Sequence, residues 1–429
     1  MSYTRRDFLR AGLGASAMMS LGPIRPGFLV RSAMAASCPP HDRDTVLVVV
    51  QLSGGNDGLN TVVPYADDEY ARNRATLHLP TRDLHKIDSL LAFHPRMAAF
   101  LRLYKEGHLS VVQGVGHAHP DQSHEREMRT WHTADPERPG RQTGWLGRVV
   151  EQAWSPTEPD TAAVFVGPIG RPFALNAENV VVLSIHSIQD LILRRPSSVA
   201  PTLSHDAPRT PRDAGVSPET DDLLLQFLRQ STLDAYAKSA RIEAIARAAA
   251  TRPGSLESGS IVYPPFGLAE NLRTIAQLIR ADVGIRIFFA ELSGGGIGGF
   301  DNHANQLGNH CALLHQLAES VAAFVDDLKQ DKLLDRVLLM TFSEFGRTVQ
   351  ENGRRGTDHG AAAPMFMAGG KLKGGLVGPH PSLTDLDNGG LKFHTDFRQV
   401  YATVLDRWLG FDSTAVLGQH FEPLDILRA

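Results

Sequence analysis

The chain is poor in cysteine: of 429 residues, only Cys38 and Cys311 carry a thiol. That excludes a disulfide framework and a thiolate zinc site. One Cys38–Cys311 bridge is open to it in an oxidising compartment, and two separated thiols are the simpler reading. Charge of one sign is also lacking. The formal net charge is −4, and no basic run marks a nucleic-acid footprint. There is no internal repeat. Beyond the N-terminal stretch, no segment approaches the roughly 20 apolar residues of a membrane span, so an integral membrane protein is not expected. Hydrophobic residues make up 42%, which suits a soluble globular protein with a large core.

The N-terminus carries the first positive signal. In "TRRDFLRAG" the Arg5-Arg6 pair precedes the apolar "LGASAMMSLGPI", and "SAMAAS" follows with small residues at Ala33 and Ala35. Paired arginines, a modest apolar segment and an Ala-x-Ala site predict a twin-arginine export signal over residues 1–35, cleaved after Ala35. The alternative is an amphipathic N-terminal helix. A lipoprotein reading at Cys38 lacks the aliphatic residue that "AAS" would have to supply. The expected partner is the twin-arginine export machinery, and the expected location is the periplasm or the exterior.

Residues 36–429 are expected to form one domain. Val46 to Val50 in "TVLVVVQLSGGNDGLN" form a continuous apolar run, the pattern of a strand buried on both faces. "GHLSVVQGVG", "GIRIFFAELSGGG" and "DRVLLMTFSEFG" give three more. Helical patterns lie between them. "HPRMAAFLRLYKEGH" is ended by Gly107, and "NHCALLHQLAESVAAFVDDLKQDKLL" puts Leu313, Leu317, Val321, Phe324, Val325 and Leu328 on one face. "DFRQVYATVLDRWLG" stops at Gly410. Buried strands alternating with amphipathic helices predict an α/β sandwich, three layers around a largely parallel sheet. The stretch around 155–267 contains a Pro/Ser-rich loop and a helical run from Asp221 to Ala250, and reads as a helical/loop insertion.

In open α/β sheets the ligand sits beyond the carboxyl ends of the strands. After the first strand "SGGNDGLN" offers Asp57, and after the second "HAHPDQSHEREM" offers Ser123 and His124. After the third "GGFDNHANQ" offers Asp301 and His303, and after the fourth come Glu344 in "SEFGRT" and then Asp358-His359 in "GTDHG". Asp and His donors without cysteine suit zinc, manganese or iron. Two such ions would clamp the attacking and leaving oxygens of a phosphoryl-like group. Ser123 stands before a predicted helix whose positive end favours an anion, and Arg126 one turn on could bind the same anion. Each residue has a plainer reading. Asp57 could serve its turn, Ser123 could be a helix cap, and Glu344 could pair with Arg347. His94, His108, His117, His119 and His132 read as polar surface residues.

Two patterns mislead. "GGGIGG" at 294–299 fits the dinucleotide fingerprint, but no helix opens after it. "HEREM" starts like a zinc-protease helix but lacks the second histidine.

"QLSGGNDGLNTVVP", "QSHEREMRTWHTA", "GGFDNHANQ", "SEFGRT", "GTDHGAAAP" and "HTDFRQVYATVLDRWLG" together resemble an exported bacterial family of unknown function, domain of unknown function 1501, placed in the alkaline phosphatase/sulfatase superfamily. The likeness runs from about Thr45 to the C-terminus. It implies an alkaline phosphatase-like α/β/α sandwich, two divalent ions (zinc, manganese, iron or calcium) and hydrolysis or transfer of phosphate or sulfate esters. Carried over, Asp57 matches the first metal-binding aspartate and Ser123 the nucleophile. Asp301 and His303 match one metal's pair and Asp358-His359 the other's, while His394 matches the late histidine that completes the first site. The spacing departs in two places. Asp301 and His303 are separated by one residue rather than three, and Glu344 holds the strand-end place of the Asp-His pair, which makes it a further candidate ligand. Glu125 also puts a negative charge beside Ser123.

The expected function is therefore an exported metal-dependent hydrolase of a small anionic ester or a sulfated or phosphorylated glycan. A non-catalytic exported binding or assembly protein on the same fold is the alternative. A metal-dependent transferase or mutase is the third possibility.

Overall fold

The computed structural model describes residues 44–153, 163–167, 170–178, 180, 182–185, 261–282, 284–292 and 299–428. The export signal, Cys38, the Pro/Ser-rich loop, the helical run at 221–250 and the glycine run at 293–298 lie outside the described residues.

Among the described residues, nine strands form the central sheet: β1 (Val46–Leu52), β2 (Leu109–Gly116), β3 (Ala163–Val166), β4 (Leu183–Ile185), β5 (Ile287–Leu292), β6 (Val337–Phe342), β7 (Ala363–Gly369), β8 (Gly375–Val377) and β9 (Thr395–Asp396). Their order is β8-β2-β7-β6-β1-β5-β3-β4, with β9 also paired to β2. Every neighbour pairing is parallel except those of β7, which runs antiparallel to β2 and β6. The sheet is thus largely parallel, as expected. β3 and β4 lie within the stretch read as a helical/loop insertion. These two strands form one edge of the main sheet.

All seven residues of β1 are buried. Side chains alternate across a strand, so Val46, Val48 and Val50 enter one core while Leu47 and Val49 enter the other. The first core is closed by helices α1 (Ala98–Lys105), α4 (Gly267–Arg280) and α5 (Gln306–Gln330), through Phe100, Leu272, Ile275, Leu317 and Val321. The second is closed by α2 (His124–Thr133), α3 (Trp145–Ala153) and α6 (Phe397–Ala402), through Trp131, Trp145, Val149 and Tyr401. Each buried Val or Leu contributes ~1.5–3 kcal/mol, which explains why continuous apolar runs form the middle layer. After α6 the chain continues in π geometry over Thr403–Leu409 and stops at left-handed Gly410, φ 74°. Among the described residues no helix is long and apolar enough to cross a membrane.

Three histidines expected on the surface are buried instead: His94, His117 and His132 are 4%, 4% and 6% exposed. Each has a polar partner that makes burial tolerable. His94 Nδ1 accepts from Arg96 N, His117 binds Glu127, and His132 Nε2 meets Gln51 Oε1.

Candidate metal centre

β1, β5 and β6 run side by side in one direction, so the loops that leave them emerge at one edge. One side chain ties these loops together. Arg347, wholly buried, donates to Gly54 O, to Gly55 O at 2.8 Å, to Phe300 O at 3.0 Å, to Thr357 O at 3.1 Å and to Asp301 Oδ1 at 2.8 Å. Asn352 adds a second tie, donating to His303 O and to Asp358 Oδ1, both at 3.1 Å. The glycines around Asp358-His359 are there for close approach. A Cβ on Gly356 would lie 2.3 Å from the backbone of His303, and one on Gly360 would lie 2.5 Å from that of Arg347.

These ties gather three imidazoles around one carboxylate. The Nε2 atoms of His124, His303 and His359 lie 3.3, 3.0 and 3.3 Å from Asp301 Oδ1, and the last two are 3.0 Å from each other. Each Nδ1 faces an oxygen that can only accept. His124 meets Glu344 Oε1 at 2.9 Å, His303 meets Asp358 Oδ1 at 3.0 Å, and His359 meets Gln122 O at 2.7 Å. With an ion at the Asp301 side, a neutral ring that keeps its proton on Nδ1 satisfies that acceptor and leaves its Nε2 lone pair for the ion. Three Nε2 atoms then surround one carboxylate oxygen. His124 Nε2 is buried from water without a hydrogen-bond partner.

Such a set is stable only around positive charge. The Glu344 hydrogen bond holds the His124 imidazole above its ordinary pKa, against burial. His359 moves the other way, lowered chiefly by burial. Burial would raise Asp301, but Arg347 and the histidines bring it down to about 2. The donors fit a divalent cation: imidazoles fixed by outer acceptors are the usual ligand arrangement. The separations from each Nε2 to Asp301 Oδ1 and from His303 to His359, 3.0–3.3 Å, are close to the roughly 3.3 Å between ligand atoms that share an ion at about 2 Å. His124, Asp301 and His303 are each about a third exposed, so solvent reaches the cluster. The Phe345 ring lies 4.9 Å from His124 and 4.5 Å from His359, forming one wall.

Of the residues singled out in the sequence, Asp301, His303 and His359 meet directly. Asp358 and Glu344 stand one layer out as acceptors for His303 and His124. Glu344 also accepts from Gly54 N; it does not pair with Arg347, whose carboxylate partner is Asp301. Asp57 is elsewhere, with both oxygens held by buried Arg74. His394 is also taken: its Nε2 donates to Pro379 O at 2.8 Å and its Nδ1 accepts from Thr395 Oγ1 at 3.0 Å. Ser123 precedes α2 without a side-chain capping bond. It lies between Gln122 and His124, both of which touch the cluster. Arg126 is 77% exposed and paired with Asp121 at 3.4 Å. The ligand set is completed by His124, whose only signal was its place at a strand end; the buried guanidiniums of Arg347, which ties the loops, and Arg74, which holds Asp57, left no such signal.

Fold and cluster together define a mixed α/β protein with a candidate cation centre at the carboxyl edge of its sheet. The chain belongs to the family described as "Protein of unknown function (DUF1501)", which matches residues 44–422. No curated protein matches the chain. Solved structures similar to it include the C-terminal periplasmic domain of EcEptC from Escherichia coli in complex with Zn, at 10% identity and TM-score 0.36, covering 76% of this chain and 73% of that one. A protein in the alkaline phosphatase superfamily from Vibrio parahaemolyticus is similar at 10% identity and TM-score 0.34, covering 87% and 69%. The PsFucS1 sulfatase from Pseudoalteromonas sp. is similar at 12% identity and TM-score 0.34, covering 94% and 75%.

Proposed function

We propose that this chain is an exported, metal-dependent hydrolase of phosphate or sulfate esters, acting on a small anionic ester or a sulfated or phosphorylated glycan. The observation that carries the reading is the convergence of the His124, His303 and His359 Nε2 atoms on Asp301, beside Ser123. His124, His303, His359 and Asp301 would hold the ion, which when bound would supply Lewis-acid polarisation of a phosphoryl or sulfuryl oxygen. Glu344, Asp358 and the Gln122 carbonyl keep the three imidazoles in one tautomer, and Phe345 shields one side. Ser123 is assigned the attack. Its Oγ forms a bond to phosphorus or sulfur as the bond to the alcohol oxygen breaks, and the alcohol leaves with the serine proton. Water then cleaves the seryl ester and returns the hydroxyl.

The test is a phosphate- and sulfate-ester screen with native protein and Ser123→Ala, with metal content measured in both. Ester turnover that falls ~10³-fold or more in the variant, at unchanged metal content, supports the assignment. Equal turnover removes Ser123 from the chemistry. The second reading, an exported binding or assembly protein, is favoured by Arg126: the side chain expected to hold the anion is 77% exposed and lies against the Asp121 carboxylate at 3.4 Å, which an anion would have to displace. It expects no turnover of any ester by a metal-loaded chain. Export is part of the same proposal, and sequencing of the mature N-terminus from the native host tests it: cleavage after Ala35 supports it and an intact Met1 refutes it.

A further inference from the structure

We infer that this chain holds one divalent cation rather than two, and that the Arg74 guanidinium fills the place at Asp57 that a second ion would take. The inference rests on the metal-dependent reading of the His124–His303–His359–Asp301 cluster.

A carboxylate that ligates an ion needs a free lone pair facing other donors. Asp57 has neither. It is 2% exposed, with Oδ2 accepting from Arg74 Nη1 at 2.6 Å and Oδ1 from Arg74 Nη2 at 2.9 Å. The Gln306 amide also donates to Oδ2, and it cannot turn, because Gln306 Oε1 accepts from Thr357 Oγ1 at 2.6 Å. This is the two-pronged, charge-assisted pairing that arginine makes best. It holds Asp57 ionised, with a pKa lowered to about 2; burial alone would raise it, and the Arg74 charge and hydrogen bonds outweigh burial.

Arg74 is itself fixed and wholly buried. Nε donates to Val349 O at 2.7 Å and Nη2 to Thr348 O at 2.9 Å. An ion at Asp57 would have to displace a guanidinium that has no route to water, leaving a buried unpaired charge. His310, whose charge would reach Asp57, has its Nε2 engaged by Asn56 Oδ1 at 3.1 Å. Among the described residues, the one group of three or more His, Cys, Asp or Glu donors all mutually close enough to share an ion is His124, Asp301 and His359, with His303 3.0 Å from the last two; Asp57 belongs to no such group. The Arg74 guanidinium therefore acts as a fixed internal cation at Asp57. Through Gln306 and Thr357 the Arg74–Asp57 pair braces the start of α5 and the residue before Asp358, the two segments that present His303 and His359.

The experiment is metal content per chain by elemental analysis, after loading with zinc or manganese and removal of free ion, for native protein, Asp57→Asn and His359→Ala. Expected are about one equivalent in native protein, the same in Asp57→Asn despite a lower melting temperature, and loss in His359→Ala. Two equivalents in native protein, or loss of an equivalent in Asp57→Asn, overturn the single-ion inference and leave the metal-dependent reading intact. No bound ion in reloaded native protein overturns both. Should Asp57→Asn fail to fold, Arg74→Lys keeps the charge and serves in its place, with the same single equivalent expected.

Discussion

His303 Nε2 and His359 Nε2 stand 3.0 Å apart, each on a ring whose other nitrogen faces an oxygen acceptor. Two such lone pairs repel unless a proton or a cation lies between them. Native protein is therefore expected to gain stability when a divalent ion is added, by about 2.7 kcal/mol at an ion concentration a hundred times Kd. His303→Ala is expected to lose most of that gain. Thermal melts with zinc and with a chelator read the effect directly. Identical melts in both conditions would mean that the cluster is held by protons.

Glu344 touches the centre only through His124, and this makes a separable prediction. Glu344→Gln keeps an oxygen for the His124 Nδ1 proton and removes the charge that makes the ring a stronger donor. Metal affinity should fall ~10–100-fold with stoichiometry unchanged. Calorimetric titration distinguishes this from a ligand role, in which the variant would bind no ion at comparable concentrations.

Arg347 binds four backbone carbonyls and Asp301 from a fully buried position. Arg347→Met should destabilise the fold by ~3–5 kcal/mol, because those acceptors lose their donors where water cannot replace them. Urea unfolding measures it. A change under about 1 kcal/mol, within the range of an ordinary surface substitution, would show that the loops hold together without the guanidinium.

What could be read from the sequence follows from the kind of signal each element leaves. β1 and β6 were legible because a strand buried on both faces must be apolar throughout. β7 was not: "APMFMAG" opens with Ala363-Pro364 and ends in glycine, with little β-branched character, and its burial comes from neighbours far away in the chain. Asp301, His303 and His359 were legible as donors at strand ends. Asp57 and His394 look the same in sequence, and only the fold shows that Arg74 and Pro379 have claimed them. Glu344 was expected either to ligate or to pair with Arg347. The backbone after β6 instead sends one side chain toward His124 and the other toward the loops, a divergence that spacing alone does not encode.

His132 gives a prediction about acid that is independent of the metal ligands. It is buried, with its Nε2 2.6 Å from Gln51 Oε1, and burial lowers its pKa from 6.5 to about 3. Between those values the unfolded chain binds a proton that the folded chain refuses, so stability rises with pH through that window and is lost as pH falls. From pH 7 to pH 5 the loss from this one residue is about 2 kcal/mol. His132→Gln keeps a donor for Gln51 and removes the titration. Its unfolding free energy should fall less steeply than that of native protein over the same interval, even if the variant starts less stable at pH 7. Paired urea titrations at the two pH values give the difference of slopes, and equal slopes would mean that His132 takes up its proton without unfolding the chain.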